Sequence, residues 1–125
     1  LKEIRNFSRE IFKKNQELEN EQEKLILVIS EAAQNIIKHA YENKDSPDKM
    51  RLQISYNNNE LQIDLYDKGK LVIEEDVKPR DLDDIKPGGL GTFFIKQVMD
   101  EIIFNKEKTD DWVNHLILKK KIINQ

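Results

Sequence analysis

The sequence predicts an α+β domain, a two-layer α/β sandwich with helices packed on one face of a mixed or antiparallel sheet. Three observations carry this. Leu25, Val28, Ile29, Ala32, Ala33, Ile36 and Ala40 recur at three- and four-residue spacing, the wide apolar stripe of a helix with one buried side. Met50, Leu52, Ile54 and Tyr56 alternate, as do Leu61, Ile63 and Leu65, across Asn57-Asn58-Asn59; that is a hairpin pattern. Glu101 to Lys106 and Trp112 to Lys120 form a second hairpin across the turn-like Glu107 to Asp111. A chain of 125 residues makes one compact domain and is too short for two ordinary ones.

In chain order, Leu1 to Glu19 reads as a first helix, with Ile4, Phe7, Ile11 and Leu18 on one side and Phe12 beside them. Asn20 is placed to cap a second helix, and Glu23, three residues on, completes a capping box. That helix runs to about Asn43, and Lys44 to Lys49, with Ser46-Pro47-Asp48, is a loop. The first hairpin ends at Asp67-Lys68-Gly69. Lys70 to Pro87 is strongly charged, holds Pro79 and has no long period, so it reads as a mobile excursion with one short helical turn around Asp81 to Ile85. A connection this long in a small domain is usually functional or disordered. Pro87-Gly88-Gly89-Leu90-Gly91 then opens a third helix, about Leu90 to Asp100, with Leu90, Phe94, Ile95, Val98 and Met99 on its apolar face. The second hairpin closes the order.

Composition removes several chemistries. The chain has no cysteine, so disulfides, thiolate nucleophiles and Cys-based zinc sites are excluded. With 21 basic against 24 acidic residues the net charge is −3, not the basic footprint that nucleic acid selects. No apolar run approaches the roughly 18 residues of a membrane span, and no signal peptide is visible. The expectation is a soluble cytoplasmic protein without nucleic-acid or membrane partners. The opening residue is Leu1 and not Met, as expected of a chain whose upstream segment is missing.

Three pieces point to one chemistry. Glu31 and Asn35 lie four apart on one row at the edge of the apolar stripe, with His39 one turn further. Asp67-x-Gly69 ends a strand, and Gly88-Gly89-x-Gly91 begins a helix. Helix N-termini offer unpaired amides and the positive dipole end to phosphate. Glycines admit close backbone approach and positive φ. An aspartate at a strand end can accept from an exocyclic amine, an asparagine oxygen suits magnesium, and a carboxylate beside that metal can act as a base. Read singly, each has a plainer meaning. Asp-x-Gly is a turn, Gly-Gly-x-Gly a loop-to-helix junction, and His39 a packing residue. Trp112 and the Phe93-Phe94 pair read as core, and Lys119-Lys120-Lys121 as a solvated chain end. Two histidines without cysteine make a zinc site a poor reading. No Walker A motif is present, nor the Lys, HRD and DFG parts of eukaryotic-type protein kinases.

Taken together, in order and spacing, the pieces resemble the GHKL, or Bergerat-fold, ATPases, in the subset of bacterial anti-sigma-factor serine kinases. The segments are Ser30-Glu31-Ala32-Ala33-Gln34-Asn35-Ile36-Ile37-Lys38-His39-Ala40-Tyr41, Asp67-Lys68-Gly69, and Gly88-Gly89-Leu90-Gly91 through Val98-Met99-Asp100-Glu101. The resemblance covers nearly the whole chain. It implies that Asn35 ligates Mg2+, that Glu31 is the general base, that Asp67 bonds the adenine amine of ATP and that Gly69 lets the ring lie close. It further implies that Gly88, Gly89 and Gly91 hold phosphates, that Lys38, His39, Leu90 and Thr92 join the nucleotide site, and that residues 70–87 form a lid. Members phosphorylate a serine of a STAS-domain antagonist and sequester a sigma factor, often as a homodimer. Two departures stand out: Lys70-Leu71-Val72 follows Gly69 where many relatives carry a further glycine or a Pro-Phe pair, and Asn114 stands where a late-strand threonine is frequent, which would weaken adenine-side hydrogen bonding. The family's usual first strand is not visible before Leu1. Other readings are the ATP-binding domain of a sensor histidine kinase, which calls for an upstream helix with a phosphoacceptor histidine that Leu1 to Asn20 lacks, and a non-catalytic nucleotide-dependent binding module.

Overall fold

A computed structural model of the chain describes residues 2–39, 50–69, 87–105, 107 and 111–122, with side chains left out at 38, 39 and 87–92. Helices α1 (Lys2–Lys13), α2 (Gln16–Glu19) and α3 (Gln22–His39) precede strands β1 (Arg51–Asn57) and β2 (Glu60–Asp67). Helix α4 (Pro87–Val98) and strands β3 (Glu101–Asn105) and β4 (Asn114–Lys121) follow. The sheet order is β1-β2-β4-β3, and each adjacent pair is antiparallel. The second hairpin therefore docks through its second strand.

Period-two alternation decides which side of each strand is buried. On β2, Leu61, Ile63 and Leu65 are fully buried, and across from them on β4 stand Lys120, Leu118 and Leu116. Onto this row α3 sets Leu25, Val28, Ile29, Ala32 and Ile36, while α4 adds Ile95 and its exit Met99. α3 packs against α4 and α1 against α3. The stripe that predicts the second helix is thus the core stripe, apart from Ala40, which lies outside the described residues. The expected helix stop near Asn43, the loop at 44–49 and the helical turn at 81–85 lie outside them too. The first hairpin turns at Asn58 and Asn59, whose φ of 52° and 63° are left-handed values that asparagine tolerates.

Four expectations about the helices are corrected. The first helix is interrupted: Asn15 takes an extended conformation (φ −119°, ψ 106°) between α1 and α2. Asn20 closes α2 in the right-handed helical region (φ −67°, ψ −24°), so it lacks the extended backbone of an N-cap for α3. Phe7 is 48% exposed, while Phe12 and Ser8 are fully buried. At roughly 100° per residue Ile4, Ser8, Ile11 and Phe12 form the packed row and Phe7 falls beyond its edge. Finally, α4 starts at Pro87, three residues before Leu90, because proline's fixed φ suits the first helical position, where no amide donor is needed.

The lysine run is strand, not a solvated end. Lys119 and Lys120 are half-buried, and Lys120 Nζ donates to the Val98 carbonyl (2.9 Å), capping α4. Asp100 N–H donates to the Lys119 carbonyl (2.9 Å), and Lys121 N–H to Asp100 Oδ2 (2.6 Å). These bonds pin the C-terminal end of α4 to the far end of β4.

Candidate functional site

Asp67 is the last residue of the buried β2 row, and this explains a carboxylate only 2% exposed. Its cross-strand neighbour is Asn114, at the start of β4 and on the same face. Asn114 Nδ2 donates to Asp67 Oδ1 (2.8 Å), and the Gly69 N–H donates to the same oxygen (2.9 Å). The Asp67 carbonyl accepts from the Val113 N–H (2.8 Å), which fixes the backbone. Among the described residues Oδ2 carries no hydrogen bond. Burial lifts the Asp67 carboxyl above the ordinary carboxylate range, and the bonds from Asn114 and Gly69 pull the other way. A buried, anchored carboxylate with one oxygen left over is an acceptor for a donor that arrives from outside.

Glu31 and Asn35 sit on α3, both half-buried, with the Asn35 Oδ1 atom itself buried. Beside Glu31, Ser30 Oγ is buried without a hydrogen-bond partner among the described residues. Lys38 and His39 complete the last turn of α3, and their side chains lie outside the described residues. Gly88, Gly89, Leu90, Gly91 and Thr92 form the first turns of α4, backbone only. No described glycine has positive φ, so the cluster does not serve a left-handed turn. Its remaining use is an unobstructed helix N-terminus, where a missing Cβ lets a ligand reach the amides. The expected lid, apart from Pro87, lies outside the described residues. Among the described residues no group of three or more His, Asp or Glu could hold a metal by itself. Magnesium does not need one. It binds through one or two protein oxygens and fills its shell with phosphate and water, a donor set that a buried asparagine oxygen fits.

The face of the sheet away from the helices holds a network that the sequence does not announce. Asp64, 8% exposed, accepts from Gln62 Nε2 (2.9 Å) at Oδ1 and from His115 Nε2 (2.7 Å) at Oδ2. His115 Nδ1 lies 3.0 Å from Asn105 Nδ2, while Asn105 Oδ1 accepts the Glu107 N–H (3.1 Å). An amide nitrogen only donates, so the arrangement assigns the ring hydrogen to Nε2. Tyr66 stacks on His115 at 4.1 Å, with Trp112 at 5.9 Å and the Arg51 guanidinium 5.4 Å over the ring. Trp112 is half-buried on this outer face, not in the core, and Phe93 is 45% exposed. Only register brings Asp64 to His115, and alternation alone does not supply register.

Comparison with known proteins adds three findings. A family profile described as "Histidine kinase-like ATPase domain" matches residues 1–120. The chain is 30% identical over 89 residues to "Serine-protein kinase RsbW" of Staphylococcus aureus (strain bovine RF122 / ET3-1), covering 65% of this chain and 56% of that protein. It thus spans little more than half the length of that relative. Among solved structures it resembles the "Histidine kinase domain from Erythrobacter litoralis EL346 blue-light activated histidine kinase" (TM-score 0.56, 16% identity, 81% of this chain and 44% of that one). It also resembles the "Catalytic domain of histidine kinase ThkA" (TM-score 0.57, 14% identity, 81% and 67%). At such identities the structural likeness establishes the shared α+β fold.

Proposed function

The chain belongs to the histidine kinase-like ATPase domain family, the GHKL ATPases, and on that premise we propose that it binds magnesium–ATP and phosphorylates a serine of a partner protein. The observation that carries the reading is Asp67: a buried strand-end carboxylate, anchored through Oδ1, with Oδ2 left for an exocyclic amine.

The packing supports one site. α4 is tied at its C-terminal end to Lys120, and six residues of strand, about 20 Å, separate Lys120 from Asn114. A 12-residue helix is about 18 Å long. These lengths match, so an α4 lying along β4 would bring Gly88 to Gly91 to the Asp67 end of the sheet, with α3 packed against α4. In this reading Asp67 accepts from the adenine amine and Gly69 admits the ring. The amides of Gly88, Gly89, Leu90 and Gly91 face phosphate, with Thr92, Lys38 and His39 at its border. Asn35 holds the metal, which when bound neutralises the phosphate oxygens. The serine oxygen attacks the γ-phosphorus, its proton passes to the Glu31 carboxylate, and ADP leaves with the electrons of the broken bond.

The partners in this reading are those that the resemblance to the anti-sigma-factor serine kinases implies: a STAS-domain antagonist carrying the serine and a sigma factor, met in the cytoplasm, with a homodimer as the candidate assembly. The likeness to a protein named as a serine-protein kinase supports the serine as acceptor. No helix among the described residues is long and apolar enough to cross a membrane. The test is incubation with γ-labelled ATP, Mg2+ and purified STAS domains. Label on a serine supports the proposal. Tight ATP binding with no label on any of them replaces it with a nucleotide-dependent binding module.

A further inference from the structure

We propose that Asn114 is a specificity-determining positioning residue: by holding Asp67 Oδ1 it turns Oδ2 toward the ligand and makes the site select a purine bearing an exocyclic amine. This rests on the reading of Asp67 as the purine contact. A carboxylate has two oxygens and can rotate about χ2, so an unanchored aspartate at a strand end presents a broad fan of acceptor directions. Here the rotation is stopped. Two donors from different segments, Gly69 N–H at 2.9 Å and Asn114 Nδ2 at 2.8 Å, meet on one oxygen. Gly69 lies two residues on, in the chain that leaves the strand, and alone would follow that segment's movements. Asn114 is a ladder residue, paired in register with Asp67 and half-buried on the same face. It ties the carboxylate to the sheet itself.

Donor chemistry also matters. A backbone N–H and an amide NH2 donate and never accept. Neither can take a hydrogen from a protonated carboxyl at Oδ1, so both favour the ionised acid, against the burial that disfavours it. An ionised carboxylate is acceptor-only and rejects a purine that presents a carbonyl at the same place. A hydroxyl at position 114, which donates and accepts, would impose this less strictly. Asn114 therefore does not weaken the adenine-side hydrogen bonding; it supplies the strand-borne part of it.

The experiment compares ATP and GTP binding by the full chain, in the presence of Mg2+, for the parent, Asn114→Leu and Asn114→Thr. Asn114→Leu keeps the approximate volume without a donor, and Asn114→Thr keeps a donor. The expected result is a parent that prefers ATP, and an ATP:GTP affinity ratio that falls roughly 5–30-fold in Asn114→Leu, the usual effect of one such hydrogen bond. GTP affinity stays level and Asn114→Thr recovers most of the ratio. An unchanged ratio, or ATP and GTP affinities falling in parallel, overturns the proposal while leaving the parent's preference, and so the reading of Asp67, intact. A parent without ATP preference overturns both. Should Asn114→Leu not fold, Asn114→Ala is read by the same ratio.

Discussion

Replacing Asp67 with asparagine separates what the residue does for the fold from what it does for the ligand. The geometry at Oδ1 is kept in Asp67→Asn: the amide oxygen still accepts from Gly69 N–H and Asn114 Nδ2, so the fold loses neither bond. What changes is the other atom, from an acceptor oxygen to an NH2 donor. One hydrogen bond to a charged group contributes about 1.5–3 kcal/mol, so ATP affinity should fall about 10- to 150-fold. GTP should lose little, because its ring carbonyl meets a donor. Stability should move the other way. Burial holds the Asp67 carboxyl above the ordinary value of 3.8, so between that pH and its raised value the folded chain binds more protons than the unfolded one. The sign follows: the stability contribution of protonated Asp67 is full below the unfolded pKa and is lost as pH rises through the folded one. Asp67→Asn removes that loss. Its melting temperature should draw ahead of the parent's as pH rises through the window, then keep a constant lead. ATP binding by the parent should weaken as pH falls through the same window, as Oδ2 gives up its acceptor role. Calorimetric titration with ATP and GTP, with thermal melts from acid to neutral pH, reads all of this. A variant that binds ATP as tightly as the parent, or melts lower at neutral pH, would refute the reasoning.

Three further outcomes are expected. Glu31→Ala should lower phosphoryl transfer ~10²–10⁴-fold in a labelled-ATP assay and leave ATP affinity mostly intact; undiminished transfer removes Glu31 from the chemistry. Asn35→Ala should abolish the gain in ATP affinity that Mg2+ gives the parent, as measured with and without EDTA, while metal-free affinity stays close to the parent's. Asp64→Ala strands the donors of His115 and Gln62 on the outer face, at about 1–3 kcal/mol for each one left buried without a partner. Urea unfolding should show that loss, and ATP affinity should hardly change, since Asp64 and Asp67 project to opposite faces.

The fold is most legible in the sequence where one period governs a whole element. The stripe from Leu25 to Ile36 specifies both α3 and its buried side, and the Asn58-Asn59 turn specifies the first hairpin. Legibility fails where a single residue overrides the period. Asn15 breaks an apparently continuous helix, and Pro87 draws the glycine cluster into α4. It fails also where the decisive fact is register. Nothing in the local composition says that Asn114 meets Asp67 or that His115 meets Asp64, because each pair is joined only by the β2–β4 ladder. Of the site, Asp67 is legible as a strand-end acceptor and is one in geometry. What holds it there stands on the opposite strand, at a position that the sequence alone marks only as a departure from the family pattern.

One titration addresses the convergence of these segments directly. Backbone amide shifts of the labelled protein, followed as ATP and Mg2+ are added together, should move in step at Asn35 on α3, at Asp67 and Gly69, and at Gly88 to Gly91. Shifts that saturate elsewhere, with any of those three segments unmoved, would contradict a single nucleotide site.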